Sequence, residues 1–176
     1  MAGRLISAKS LTVWIGAFFF ILLLVSCDSS LPLTPAQTGY ADLSADEKRA
    51  VDDFLHACSA PKGKARLLCC KAADLNDDGI ADIVVIYAPP ENTRPVPDHD
   101  GNVMAVLVSG KAGFTATNRL RAAAERWQIQ FRDIDEKPPT EFIVSGYKGA
   151  KTGLGVYRVV GHTVENLFGE AMDECC

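Results

Sequence analysis

The segment Asp74-Leu75-Asn76-Asp77-Asp78-Gly79-Ile80-Ala81-Asp82, followed without a break by Ile83-Val84-Val85-Ile86-Tyr87, decides how this chain is read. Oxygen-bearing side chains fall at loop positions 1, 3, 5 and 9, which are Asp74, Asn76, Asp78 and Asp82. Side chains at alternate positions of a curling loop converge, and Gly79 at position 6 permits the sharp turn that a Cβ obstructs. Such a loop suits a hard cation, which takes six to eight oxygens at about 2.3–2.6 Å. The run that follows is β-branched and aromatic, so it reads as a strand. The loop therefore feeds a sheet, and the fold is built around that junction.

Position 12 of a helix-loop-helix calcium site carries a bidentate Glu. Here it is Val85, inside the expected strand. The pattern resembles the D-x-N/D-x-D-G-x-x-D loops of FG-GAP/VCBS-type repeats, as in integrin-like propeller blades, more than a true EF-hand. The likeness spans about residues 65–120. It implies Ca²⁺ held by the side chains of Asp74, Asn76, Asp78 and Asp82 and by the carbonyl of Ile80. Without a twelfth-position Glu the expected dissociation constant is on the order of 10⁻⁴–10⁻³ M. The competing reading is a solvated turn closed by side-chain-to-backbone hydrogen bonds.

Outward from this point the chain alternates strand and turn signals. Before it, Ser44-Ala45-Asp46-Glu47 has the form of a capping box, and Val51, Phe54, Leu55 and Cys58 fall on one helical face. That helix should end before Pro61 and pack on the sheet. Strands are expected at 66–72, 83–87, 103–108, 114–120, 128–132, 141–147, 154–160 and 163–168, with a short helical connection at 121–126. A long proline-bearing loop separates the second and third strands; within it Asp98 and Asp100 read as a plain turn or, alternatively, a second metal contact.

Shifted by 59 positions, Asp74-Leu75-Asn76 lies over Asp133-Ile134-Asp135, and Asp82-Ile83-Val84-Val85 over Glu141-Phe142-Ile143-Val144. Val103–Phe114 then corresponds to Leu154–Val164. The order of four strands also matches, which favours a duplicated unit over two unrelated strands entered through acidic turns. In the second loop Lys137 and Pro138 replace Asp78 and Gly79, so this copy is expected to have lost its metal. A salt contact from Lys137 to Asp133 or Asp135 would stand in for the ion. Two such units do not close a propeller, which typically needs four or more blades. The fold class is therefore mainly β (α+β): two repeated antiparallel four-stranded meanders, about 65–120 and 127–168, with one N-terminal helix packed on them.

The N-terminal residues 1–26 carry Arg4 and Lys9 and then an uncharged apolar core from Leu11 to Val25, the layout of an export signal. Its end, Leu24-Val25-Ser26-Cys27, resembles the bacterial lipobox, which implies cleavage at Cys27 and lipidation of that residue. An uncleaved anchor is the alternative, although about 18 uncharged residues is short for a span. Asp28 resembles the inner-membrane retention signal of enterobacterial lipoproteins. Residues 27–43 then read as a flexible tether and 44–176 as one globular domain.

Without residues 1–26 the chain keeps 16 of its 18 basic residues against 22 acidic ones, a formal charge of −6. That argues against nucleic acid or anionic lipid as the main partner. Of six cysteines, Cys27 is assigned to lipid; Cys58, Cys69, Cys70, Cys175 and Cys176 remain as disulfide candidates in an oxidising compartment. Cys69 and Cys70, adjacent on a strand, should face opposite ways and take different partners, one of them Cys58 and the other Cys175 or Cys176. The odd count leaves one thiol free or paired between chains.

No catalytic motif contains His56, His99 or His162, and Trp127 reads as packing or, less simply, as a ligand platform. The sequence thus implies a lipid-anchored envelope protein, facing periplasm or exterior, with a structural Ca²⁺ loop and a binding or accessory role toward an envelope protein or glycan. It is not expected to be an enzyme. The alternatives are a metal-assisted envelope hydrolase and a purely structural lipoprotein with no bound metal.

Overall fold

The computed structural model describes residues 39–59, 63–91, 93, 95–96 and 101–168. The lipobox with Cys27, the tether before Gly39, the acidic turn at Asp98 and Asp100, and Cys175 and Cys176 lie outside the described residues.

Helix α1 spans Ala45–Cys58 and begins with the expected capping box. The Ser44 Oγ accepts from the Glu47 N–H at 3.3 Å, and a Glu47 carboxylate oxygen accepts from the Ser44 N–H at 2.6 Å. Such a cap typically contributes about 1 kcal/mol. At the other end the Ser59 hydroxyl donates to the Leu55 carbonyl at 2.8 Å and accepts from the Ala65 N–H at 3.0 Å, which turns the chain into the first strand.

The described residues are mainly β, with two antiparallel sheets, this one α-helix and a short 3-10 turn at Tyr40–Asp42. Sheet one contains β1 (Arg66–Ala73), β2 (Asp82–Ala88), β3 (Val103–Val108) and β4 (Thr115–Ala116) in that order, with β5 (Leu120–Arg121) also paired to β3. Sheet two is a meander of β6 (Glu125–Arg132), β7 (Glu141–Lys148), β8 (Lys151–Val160) and β9 (Thr163–Phe168). Two expectations are corrected. The strand foreseen at 114–120 is broken into β4 and β5, because Thr117 turns inward there: its hydroxyl accepts from the Val106 N–H at 3.0 Å and its own N–H donates to the Val106 carbonyl at 2.9 Å. The helical connection foreseen at 121–126 is absent, since Arg121 belongs to β5 and Glu125 already starts β6.

Strands β2 and β3 read as unbroken apolar runs because sheet one is covered on both faces. Val84, Ile86, Met104, Val106 and Val108 point toward sheet two, where they meet Ile129, Phe142, Val144, Tyr157 and Val159. Ile83, Val85, Tyr87, Val103 and Leu107 point the other way and pack with Val51, Phe54 and Leu55 of α1. The result is three layers, helix on sheet on sheet, as the period-two alternation of strand side chains dictates. Phe54 meets Tyr87 edge to face at 5.4 Å, and Phe142 stacks on Tyr157 at 5.4 Å.

A bulge at Leu68 turns both Leu68 and Cys69 into the core between the sheets, while Cys70 faces the helix. Cys58, Cys69 and Cys70 are free thiols, so the expected tie from Cys58 to one of the adjacent pair is not made. Cys69 is out of reach by construction, since sheet one itself lies between it and α1. Gly39 admits the chain to this layer: a Cβ there would stand 2.1 Å from the Cys70 carbonyl oxygen.

Candidate functional site: twin acidic loops

The turn between β1 and β2 closes on its own side chains. Asp74 accepts from the N–H groups of Asp78 (3.3 Å) and Gly79 (2.8 Å), Asn76 from that of Asp78 (3.0 Å), and Asp78 from that of Ile80 (2.8 Å). The Asn76 amide also donates to Asp78 at 3.1 Å, so the residues at positions 1, 3 and 5 converge as their spacing predicts. Two residues take left-handed backbone to make the bend, Asp77 at φ 64° and Gly79 at φ 82°.

Asp82 behaves differently from the other three. It is fully buried, and its carboxylate accepts from the Leu75 N–H at 2.9 Å and the Ser109 N–H at 2.7 Å. It therefore clamps the start of the loop to the end of β3. Burial pushes its carboxyl above the usual carboxylate range and the charge of Asp78 adds to this, while the hydrogen bonds from Ser109 and Leu75 oppose it. The Ile80 carbonyl accepts from the Ser109 hydroxyl at 3.5 Å, and the Ile80 side chain is about half exposed (52%).

The turn between β6 and β7 reproduces this construction 59 positions on. The Ile134 N–H donates to Glu141 at 2.8 Å as that of Leu75 does to Asp82, and the Lys137 N–H donates to Asp135 at 3.1 Å as that of Asp78 does to Asn76. Glu136 takes left-handed backbone at φ 58°, matching Asp77. The strand registers agree as well. Ala72 pairs with Ile83 and Phe131 with Phe142; Cys69 pairs with Ile86 and Gln128 with Ser145; and a bulge interrupts both ladders before the outer pairs Arg66–Ala88 and Glu125–Tyr147. Past the second strand the offset falls from 59 to 50, because Leu107 opposite Ile83 corresponds to Tyr157 opposite Phe142. Val103 thereby corresponds to Gly153, one residue before the match read from sequence.

The loops differ in how their charge is met. Asp133, Asp135 and Glu141 bring one oxygen each within 4.8 Å of one another, a grouping able to hold a metal ion. A guanidinium reaches the same group: Arg158 donates to Asp135 at 2.7 Å and to Glu141. The contact expected from Lys137 is thus made by Arg158 instead, and Lys137 contributes its backbone N–H. The Arg158 hydrogen bond holds the Asp135 carboxyl below its ordinary range. Pro138 has no N–H, so the counterpart of the Gly79-to-Asp74 bond cannot form. In the first loop no Lys or Arg among the described residues forms an ion pair with Asp74, Asp78 or Asp82.

Arg158 was invisible to motif reading because it lies 17 residues from Glu141 in sequence. The signal that finds it is register: continuing the Phe142–Tyr157 pairing by one residue places Arg158 opposite Glu141, and continuing Ile83–Leu107 places Val108 opposite Asp82. Val85, at the twelfth loop position, is fully buried in β2 and is no ligand. His56 and His162 are exposed, and Trp127 packs half-buried against the inter-sheet core with its indole N–H donating to the Ala123 carbonyl.

No protein-family model, curated protein or solved structure matches this chain. Among the described residues no helix is long and apolar enough to cross a membrane.

Proposed function

We propose that this chain is a lipid-anchored envelope protein, tethered through Cys27, in which the loop Asp74–Asp82 holds a structural Ca²⁺ and the domain serves as a binding or accessory module. The observation that carries the metal reading is the contrast between the twin loops. One acidic turn has Arg158 as its built-in cation. The other, equally acidic, has the apolar Val108 in the corresponding place.

Acidic groups drawn together in a partly desolvated turn repel one another unless a positive charge sits among them. A mobile Ca²⁺ in the first loop would do what the guanidinium does in the second. Asp74, Asn76 and Asp78 would supply side-chain oxygens and Ile80 its carbonyl, with water completing the shell. Asp82, spent on two N–H groups, would act as the clamp that fixes the loop to β3. The shared registers, bulge and turn geometry support descent of both halves from one duplicated unit, in which the second copy exchanged its ion for Arg158. This account favours an ion that braces the fold over one that activates water, and hence a non-enzymatic role.

The test is a thermal melt of the full chain in millimolar Ca²⁺ and in EDTA. With a dissociation constant near 10⁻³ M, a tenfold excess of ion stabilises by about 1.4 kcal/mol, a rise of a few degrees in melting temperature. An unchanged melt supports the turn as purely structural and removes the metal.

A further inference from the structure

A groove of about 740 Å³ opens between α1 and the hairpin that joins β3 to β4, and Ile80 of the first loop forms part of its wall. Its volume lies within the range of ligand sites, about 300–1,000 Å³. The floor is apolar and comes from three elements: Phe54 of α1, Leu107 of β3, and Phe114 before β4. The rim is acidic. Helix α1 contributes Asp46, Glu47 and Asp53 to it and a single base, Arg49. Arg49 is already paired with Asp46 at 3.1 Å, so among the described lining residues no other Lys or Arg stands beside Glu47 and Asp53. Glu47 is hydrogen-bonded to the Ser44 N–H, which satisfies an oxygen and holds the side chain in place without cancelling its charge.

We propose that this groove binds a cationic peptide segment, an apolar side chain resting on the Phe54–Leu107–Phe114 floor and basic residues beside it meeting Glu47 and Asp53. The proposal rests on the reading of the domain as a binding module and chooses between its two partner classes. The apolar floor together with a carboxylate rim suits an amphipathic basic peptide, and it repels anionic lipid and anionic glycans. Covering the groove would also bury part of Ile80, which ties occupancy to the order of the neighbouring loop.

The experiment measures fluorescence anisotropy of rhodamine-labelled Lys-Leu-Lys-Phe-Lys against the full chain in non-ionic detergent, in parallel with the charge-reversed Glu-Leu-Glu-Phe-Glu and the apolar-deleted Lys-Ala-Lys-Ala-Lys. Saturable binding is expected of the first peptide alone. Asp53→Lys should weaken it at least tenfold, whereas Glu125→Lys, on sheet two, should change it less than twofold. Equal binding of the basic and acidic peptides, no saturable binding of the basic one, or equal loss in both variants would overturn the proposal; the last outcome would mean only the general field of an acidic chain. Melting the same samples with Ca²⁺ and EDTA separates the two readings, since a retained Ca²⁺ shift without peptide binding removes the groove and leaves the metal.

Discussion

Arg158 on β8 stands across the strand pair from Glu141 on β7 and donates to its carboxylate, which is 1% exposed. The same guanidinium reaches Asp135, so one side chain gathers the acidic turn that opens β7. Removing one partner of a buried charge pair leaves the other uncompensated, at a cost of several kcal/mol. Arg158→Met should therefore destabilise the protein by about 3 kcal/mol, read from urea unfolding. Ca²⁺ should then recover part of this loss in the variant, because the Asp133, Asp135 and Glu141 trio is freed to take an ion. A variant that is insensitive to both Ca²⁺ and EDTA would break the equivalence between guanidinium and metal.

Asp78 is exposed and is the third side-chain ligand proposed for the first loop, so its removal would separate metal from turn. In EDTA, Asp78→Ala should cost well under about 1 kcal/mol, since surface changes do so as a rule. In millimolar Ca²⁺ the wild-type stabilisation should vanish in the variant. A Ca²⁺-dependent melt that survives Asp78→Ala would place the ion elsewhere.

Asp82 has a different task and a different signature. Its two acceptor contacts serve the N–H groups of two buried residues, Leu75 and Ser109. Each buried donor left without an acceptor costs about 1–3 kcal/mol, so Asp82→Ala, which strands two of them, should lose about 2–6 kcal/mol with or without Ca²⁺. Asp82→Asn keeps one acceptor oxygen but turns an amide donor toward the other N–H, and should fall between wild type and alanine. Hydrogen exchange at Ser109 is the local readout, expected to accelerate in both variants.

The parts of this fold that could be read from residues are those written in local sequence. Ser44 and Glu47 announce the helix start three residues apart, and the contrast between Asp74–Asp82 and Ile83–Tyr87 marks a turn entering a buried strand. The burial of Ile83–Tyr87 on both faces is legible in the absence of alternation. What escaped is nonlocal. Thr117 breaks a strand because its hydroxyl finds a backbone N–H 11 residues away, and Arg158 finds Glu141 only once β7 and β8 are in register. Loop position marks Asp82 as a ligand candidate but carries no sign of the Leu75 and Ser109 N–H groups from which its carboxylate accepts, because Ser109 comes near only once β2 and β3 are paired.

Acid should act on the second loop through Asp135. Its carboxyl is held below the ordinary range by Arg158 in the folded protein, so the folded state resists protonation more than the unfolded one. The stabilisation is present above the ordinary carboxylate range and is lost as pH falls through the lowered folded value. Arg158→Met should flatten this part of the stability profile, measured by urea unfolding between pH 2 and pH 6. A profile as steep in the variant as in wild type would assign the acid sensitivity to other carboxylates.

Alkali should act on the opposite layer. Burial pushes the Cys69 thiol up to about 11 and the Cys70 thiol up to about 12. Both remain protonated in the folded protein where an unfolded thiol, with its value near 9, has begun to ionise. The folded state thus binds the protons more tightly, and its advantage is complete below pH 9 and lost as pH rises through 11 to 12. Since the thiolate is the nucleophile, the same burial makes both cysteines slow toward a disulfide reagent at neutral pH. Cys58, half exposed at the end of α1, should react first, with Cys69 and Cys70 titrating only when the protein unfolds. Timed labelling followed by peptide mapping gives the order, and early modification of Cys69 would show that the core between the sheets opens before the helix layer does.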